Sequence, residues 1–352
     1  MKVLMKGNEA IAEAAIRAGC QMYVGYPITP QSEITEYMSR NMPQLGRTFI
    51  QSQSELISIN TVLGGSMTGA RCMTSSSGVG ISLMQEGFTD AFSKALTPLI
   101  VNVNRLGCGM GCLAAFPGGQ DDYTRETHGG GNGYYRFLVY VPSTIQEAVD
   151  MTYQAWDIAE KYHNPVELYT EGRLGKMMEA VELPEYRVVK FLSGCQDGSQ
   201  SPTPNYPVWR IRDEDFITRL DAMEENEQQW EEYLIEDAET VIVAVGLCAR
   251  VCKGTIHKLR EQGVKIGMLR PKTVWPFPVK GFRNITAATK RIVCVENSNK
   301  PEMLEDVIVA MRKVSNLNRC ALYSKATLGL ISGEELKAFL EEVLSGTEKE
   351  VG

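Results

Sequence analysis

Short β-branched apolar runs alternate with helical segments along most of this chain, and no other feature narrows its fold so far. The runs at 22–26, 47–51, 71–74, 98–103, 137–141 and 166–169 stand about one helix apart, which is the spacing of βαβ units in a largely parallel sheet. Between them Ala10, Ile11, Ala14, Ala15 and Ala18 fall at helical spacing, and the segment 144–160 opens on a Ser-Thr cap. The alternation resumes later, with strands expected at 240–245, 264–269 and 291–296 and helices at 247–262, 301–314 and 332–344.

A chain of 352 residues exceeds what one core usually serves. The pattern predicts two doubly wound α/β domains with mostly parallel sheets, at 1–175 and 237–352. The stretch 176–236 changes character, with Ser-Gly-Gln-Pro punctuation and then a charged helix-like run, and reads as an interdomain arm with a solvated face.

In an open parallel sheet every strand-to-helix handover lies on the carboxyl edge, where ligands of doubly wound folds bind. Three handovers carry polar side chains suited to chemistry. Tyr26-Pro27-Ile28-Thr29-Pro30 closes the first run, with Thr29 placed for a helix N-cap and Pro30 for the first helical position. The alternative for Thr29 is a hydroxyl beside a bound anion at a positive helix end. Gln53-Ser54-Glu55 follows the second run, and Glu55 is either a first-turn residue that favours the helix dipole or a partly buried acid. Ser75-Ser76-Ser77-Gly78-Val79-Gly80 is a small-residue turn before a helix expected at 81–95, either a simple cap or a surface for close ligand approach. Arg105, after the fourth run, brings a guanidinium fork to the same edge, for a carboxylate, a phosphate or a structural ion pair.

Composition excludes several classes. With 43 acidic and 36 basic residues, the net charge of -7 leaves no electrostatic footprint for a nucleic-acid backbone. No run approaches the ~18 apolar residues of a membrane span, and the apolar stretch at the N-terminus is too short for a signal-peptide core, so a cytoplasmic location is expected. The nine cysteines are scattered and odd in number, mostly in apolar segments, and read as buried free thiols. Cys108 and Cys112, like Cys248 and Cys252, are spaced C-x₃-C without a nearby histidine, so no metal site is expected. The long glycine-dense loop from Phe116 to Tyr134 suggests a lid or partner contact, with His128 a loop hydrogen-bonder.

Taken together, Tyr26-Pro27-Ile28-Thr29-Pro30, Gln53-Ser54-Glu55, Met73-Thr74-Ser75-Ser76-Ser77-Gly78 with Leu83-Met84-Gln85-Glu86-Gly87, and Leu269-Arg270-Pro271-Lys272-Thr273-Val274-Trp275-Pro276-Phe277-Pro278 resemble the pyrimidine-binding subunit of the 2-oxoacid:ferredoxin oxidoreductases. The resemblance implies a thiamine diphosphate pyrimidine-binding domain followed by a transketolase C-terminal-like domain. It implies oxidative decarboxylation of a 2-oxo acid to acyl-CoA and CO2, with electrons passed to ferredoxin. On the same carry-over Glu55 hydrogen-bonds the aminopyrimidine ring nitrogen, Thr29, Ser76 and Ser77 bind the cofactor, and Thr29 and Arg105 also meet the 2-oxo acid group.

The sequence has no Gly-Asp-Gly segment and no closely spaced four-cysteine run. Magnesium, the diphosphate grip and the iron-sulfur clusters are therefore expected on partner chains: a thiamine diphosphate-binding beta-type subunit, a ferredoxin-like iron-sulfur subunit and a gamma-type subunit, with coenzyme A as co-substrate. Within the family, Gln120-Asp121-Asp122-Tyr123, Gly129-Gly130-Gly131-Asn132-Gly133 and Tyr135-Arg136 look most like the branched-chain, 2-oxoisovalerate type. Asn132, Tyr134 and Asn297-Ser298-Asn299-Lys300 depart from its pattern, and 2-oxoglutarate is the alternative substrate. A non-catalytic scaffold subunit is the alternative of another class; a nicotinamide dehydrogenase would carry a G-x-G-x-x-G turn where this chain has Tyr26 to Pro30.

Overall fold

A computed structural model describes residues 2–104, 119–189, 213–327 and 329–351. In chain order the strands are β1 (Lys2–Lys6), β2 (Met22–Gly25), β3 (Thr48–Gln51), β4 (Cys72–Ser76), β5 (Leu99–Asn104), β6 (Leu138–Tyr140) and β7 (Val166–Glu171). They continue as β8 (Met178–Glu182), β9 (Trp230–Tyr233), β10 (Thr240–Val243), β11 (Ile266–Pro271), β12 (Thr273–Trp275), β13 (Arg291–Glu296) and β14 (Ala321–Ala326).

Seven strands form one sheet in the order β12-β6-β7-β5-β4-β2-β3, parallel throughout except for β12, which runs antiparallel to β6. Five form a second sheet, β14-β13-β10-β11-β9, parallel except for β9. The α/β class and the parallel-dominated sheets agree with the alternation in the sequence. β1 and β8 make a separate antiparallel ribbon.

The inner parallel strands β4, β5, β7, β10 and β11 are buried along their whole length, as strands covered on both faces are, whereas the edge strands β3 and β14 are largely exposed or half-buried. Ile11, Ile16, Ile34, Met38 and Trp156 fill one side of the large sheet. Ile59, Ile81, Phe88 and Phe137 fill the other, and that cluster continues through Val241, Val243, Leu269 and Ile292 into the second sheet. Burial of each such side chain stabilises by about 1.5–3 kcal/mol, and a one-residue slip would turn a whole strand's set away. The register is therefore strongly held.

Several features differ from the sequence expectation, among them the unread strand β14, whose Ala-Leu-Tyr-Ser-Lys-Ala is half polar. The helix expected at 81–95 is two, Val79–Leu83 and Gln85–Ser93, meeting at Met84. The edge strands β9 and β12 went unread, because Trp-Glu-Glu-Tyr is half polar and β12 has only three residues. The ribbon β1–β8 lacked an alternation strong enough to see, since Val3, Leu4 and Met178 all lie exposed. Among the described residues no helix is long and apolar enough to cross a membrane.

Strand order locates the functional edge. β2 has β3 on one side and β4 on the other, so the chain leaves β2 outward and returns across it through the helix Glu55–Met67. A crevice opens at such a switch point, outside the carboxyl ends of β2 and β4.

Candidate active site

The Tyr26–Pro30 loop rests on a buried hydrogen-bond network. Tyr23 Oη lies 2.7 Å from Ser75 Oγ and 2.9 Å from Thr35 Oγ1. Gln31 accepts from Ser75 Oγ at 2.7 Å and donates from Nε2 to the Tyr26 carbonyl at 3.1 Å. Asn8 Nδ2 donates to the Pro30 carbonyl at 2.8 Å. Thr29 itself is exposed, and the Thr29–Pro30 peptide is cis. Neither residue has the helical role expected of it: the Gln31 amide donates to the Ile28 carbonyl, closing a turn first, and the helix Ser32–Asn41 begins two residues after Pro30. Thr29 thus stands free of capping work in the loop after β2.

Glu55 is the first residue of its helix, with Ser54 as N-cap accepting from the Ile57 amide, and is only 5% exposed. A Cβ added to Gly80 would sit 2.5 Å from Glu55 Oε1 and 2.1 Å from Ser76 Oγ. Only glycine at position 80 lets the Val79–Leu83 helix meet both groups so closely. Among the described residues no hydrogen bond is made by the Glu55 carboxyl group. Its apolar neighbours Leu56 and Ile57 face outward, 46% and 45% exposed. They do not wall the carboxyl from within, because at the first turn they point away from the sheet.

The register explains which residues share the crevice. Ser76 pairs with Asn102 and Asn102 with Tyr169, while Thr74 pairs with Ile100 and Ile100 with Glu167. Paired residues in a parallel ladder share a face, so Thr74, Ser76, Asn102 and Glu167 lie on one side of β4, β5 and β7. Ser75 points to the other side, into the network beneath Pro30. Thr74 Oγ1, Ser76 Oγ and Ser77 Oγ are buried without a hydrogen-bond partner. Of these, Ser76 Oγ stands beside the Glu55 carboxyl at Gly80 and is open to a polar ligand there.

Charge is concentrated behind this row, on the short helix Tyr123–His128. Arg125 is paired with Asp122 at 2.8 Å and donates from Nε to Glu126 at 2.8 Å. Glu126 also accepts from Asn102 Nδ2 at 2.9 Å and shares a hydrogen bond with Glu167. Burial pushes both the Glu126 and Glu167 carboxyls above their usual range, and the nearby Glu126 raises Glu167 further, so the pair favours holding a shared proton. At the seam between the sheets, Glu171 accepts from the Leu247 amide at 2.8 Å, and Gln120 Nε2 donates to the Val245 carbonyl at 3.1 Å. Burial pushes the Glu171 carboxyl up to about 7.

The structure brings Glu55 and Ser76 together at Gly80; Ser77 follows Ser76 with its hydroxyl buried, and Thr29 is exposed in the loop after β2. Arg105 and the segment Gly107 to Cys112 lie outside the described residues; the flanking Asn104 and Gly119 are joined by a 2.8 Å hydrogen bond. The glycines of the 129–133 loop serve close approach to the Gln85–Ser93 helix. The Gly130 amide donates to Gln85 Oε1 at 3.0 Å, and a Cβ on Gly131 would meet the Gln85 carbonyl at 2.5 Å. His128 is exposed and bonds Thr127 Oγ1. Cys20, Cys72, Cys248, Cys252, Cys294 and Cys320 are buried free thiols, and among the described residues no cluster of His, Cys, Asp and Glu is arranged for a metal. A cavity of ≈ 550 Å³ lined by Phe92, Tyr134, Phe216 and Trp275 involves none of the crevice residues.

Sequence reasoning missed Asn8, Gln31, Gly80 and the Arg125–Glu126–Glu167 cluster. Gly80 carried a signal, as the second glycine of a serine turn. Asn8 and Glu167 lie in segments whose periodicity fits ordinary helix and strand, Gln31 follows the Thr29–Pro30 pair, and Arg125 and Glu126 lie in the glycine-dense loop.

Residues 13–242 match the family described as pyruvate flavodoxin/ferredoxin oxidoreductase, thiamine diphosphate-binding, and residues 238–329 match pyruvate:ferredoxin oxidoreductase core domain II. The chain is 39% identical to the ketoisovalerate oxidoreductase subunit VorB of Methanothermobacter thermautotrophicus, over 90% of this chain and 92% of that one. It is 33% identical to the 2-oxoglutarate synthase subunit KorA of Methanocaldococcus jannaschii, over 84% and 88%. Its fold superposes on the 2-oxoglutarate:ferredoxin oxidoreductase of Magnetococcus marinus with a TM-score of 0.82 at 23% identity, covering 97% of this chain and 65% of that longer one.

Proposed function

The chain belongs to the 2-oxoacid:ferredoxin oxidoreductases, and from that membership we propose that it is the pyrimidine-side subunit of an enzyme that oxidatively decarboxylates a branched-chain 2-oxo acid. The products are acyl-CoA, CO2 and reduced ferredoxin. One observation carries the site: a buried helix-start carboxyl, Glu55, meets the unpartnered hydroxyl of Ser76 across Gly80.

These groups fit the aminopyrimidine half of thiamine diphosphate. When bound, the cofactor supplies the carbon nucleophile and the electron sink that decarboxylation needs. Glu55 shares a proton with the ring nitrogen and so orients the amino group, which is general acid–base work done through a fixed hydrogen bond. Ser76 and Ser77 gain in the ligand the partners they lack in the protein. Thr29, exposed in the loop after β2, and Arg105 hold the carbonyl and carboxylate of the 2-oxo acid.

Tyr26, Leu56, Ile57, Val79 and Leu83, all in the segments that follow β2, β3 and β4, leave large apolar side chains exposed. We take these side chains as the docking face of the beta-type subunit that brings magnesium and the diphosphate grip. Iron-sulfur clusters belong to a ferredoxin-like subunit, and a gamma-type subunit completes a cytoplasmic assembly. The division at 1–175, 176–236 and 237–352 is part of the same reading.

Similarity to the ketoisovalerate subunit favours a branched aliphatic substrate. So does the engagement of Arg125: held by Asp122 and Glu126, it is not offered to the distal carboxylate of 2-oxoglutarate. Leaving that carboxylate buried and unpaired would cost about 3–5 kcal/mol. The test is kcat/KM for 2-oxoisovalerate and 2-oxoglutarate in the assembled complex with ferredoxin and coenzyme A. A ratio favouring 2-oxoglutarate would refute the substrate assignment.

A further inference from the structure

Glu55 and Ser76 are useful to a cofactor only if they keep their places relative to one another, and the turn Gly78–Gly80 sets that relation. Gly78 adopts φ +49, and Gly80 packs against both side chains. Within the turn the Gly80 amide donates to the Ser77 carbonyl at 2.9 Å, which shapes it at the end of β4 but does not tie it to β5 or β7. What reaches it from outside is Arg125, whose Nη1 donates to the Gly78 carbonyl at 3.1 Å and to Ser82 Oγ at 2.8 Å.

We propose that Arg125 is a positioning residue for the pyrimidine site: it ties the Gly78–Gly80 turn to strands β5 and β7, and through the turn holds Glu55 and Ser76 in register. The inference rests on the function proposed above and adds to it a residue that touches neither cofactor nor substrate.

The division of the guanidinium carries the argument. Nε and Nη2 face the acids Glu126 and Asp122. Glu126 is anchored to β5 by Asn102 and to β7 by Glu167, so this half of Arg125 is fixed to the sheet. Nη1 points out of the acid cluster to the turn. A residue needed only to neutralise buried carboxylates would have no use for that second direction. Lysine, a point charge on a flexible stem, can satisfy the acids but cannot also span to Gly78 and Ser82 in one fixed plane.

Arg125→Lys in the assembled complex therefore separates positioning from charge balance. Calorimetry with magnesium and thiamine diphosphate should give a Kd raised by about tenfold or more, and exchange of the cofactor C2 proton should slow by about a hundredfold, the scale of an ångström's misplacement. KM for the 2-oxo acid at saturating cofactor should stay within about twofold, because the substrate is not held by the turn. Ser82→Ala, which removes one of the two Nη1 partners, should fall between Arg125→Lys and the unmodified complex. If Arg125→Lys does not assemble, Arg125→Gln combined with Glu126→Gln removes one charge of each sign, and the same weakened cofactor binding is expected of it. Unchanged cofactor Kd and C2 exchange in whichever of the two assembles would overturn the proposal. So would a loss in which KM for the 2-oxo acid rises as much as the cofactor Kd. Glu55→Gln, run in parallel, keeps the two readings apart: if it too leaves exchange unchanged, the pyrimidine-site assignment fails, and if it alone stops exchange, only the role of Arg125 does.

Discussion

Gly80→Ala is the smallest change that should damage the site without damaging the fold. The added Cβ would stand 2.1 Å from Ser76 Oγ, 2.5 Å from Glu55 Oε1 and 2.9 Å from Glu55 Cδ. Restoring ordinary contact requires the carboxyl to move by roughly 1 Å, a distance that at a reacting centre costs about a hundredfold in rate. Overpacking of this kind destabilises by about 1–3 kcal/mol, and alanine in place of a helical glycine returns up to about 1 kcal/mol. Both clashing atoms terminate side chains that can swing aside, so the net penalty should stay near the lower end and the subunit should fold and assemble. The backbone at position 80 does not have a positive φ, so the substitution adds no conformational strain. The assay is C2 proton exchange of thiamine diphosphate in the complex, followed by NMR after acid quench, beside a thermal melt. Exchange reduced about a hundredfold with a melt shifted by only a few degrees is expected. Exchange within twofold of the unmodified complex would refute the packing argument, since Glu55 would then have tolerated a displacement that the proposed hydrogen bond forbids.

Arg105→Lys should raise KM for the 2-oxo acid more than the cofactor Kd, because lysine keeps the charge and loses the fork that reads a planar carboxylate; the opposite order would move Arg105 to the diphosphate or to an ion pair. Glu171→Gln should change how stability depends on pH. The folded Glu171 carboxyl, held up to about 7 by burial against an ordinary 4.5, is most favourable when protonated, so its contribution is complete below about pH 4.5 and declines as pH rises to 7. The amide keeps the acceptor for the Leu247 N–H, and the variant should gain on the order of 3 kcal/mol over the parent between pH 5 and 8. Parallel urea-melt curves at both pH values would contradict this.

Sequence alone disclosed the strands that are apolar on both faces, because a period of two or an unbroken run leaves few alternatives, and it marked the handovers carrying Thr29, Glu55, Ser76 and Ser77. It could not show that Gly80 is the contact between Glu55 and Ser76, since that depends on how close two helices come. Nor could it show that Asn102 and Glu167 share a face with Ser76, which follows only from the ladder register. The Arg125 cluster joins residues from a loop helix and two strands. Charged side chains in such a loop read as solvated until the packing places them inside. Thr29 illustrates the reverse: the Thr-Pro pair is a good local signal for a helix start, yet the turn closed by Ile28 and Gln31 took precedence.

The central claim, that this chain contributes the acid that activates the cofactor, is tested most directly by Glu55→Gln in the assembled complex, with C2 proton exchange of bound thiamine diphosphate as the readout. The substitution keeps size and hydrogen-bonding reach while removing the carboxyl proton exchange that the role requires. Exchange slowed by several orders of magnitude, about 10² to 10⁴ for one acid–base group, with cofactor still bound and subunits still associated, is the predicted result; exchange at the unmodified rate would mean that Glu55 is only a first-turn residue of its helix and that the site lies elsewhere.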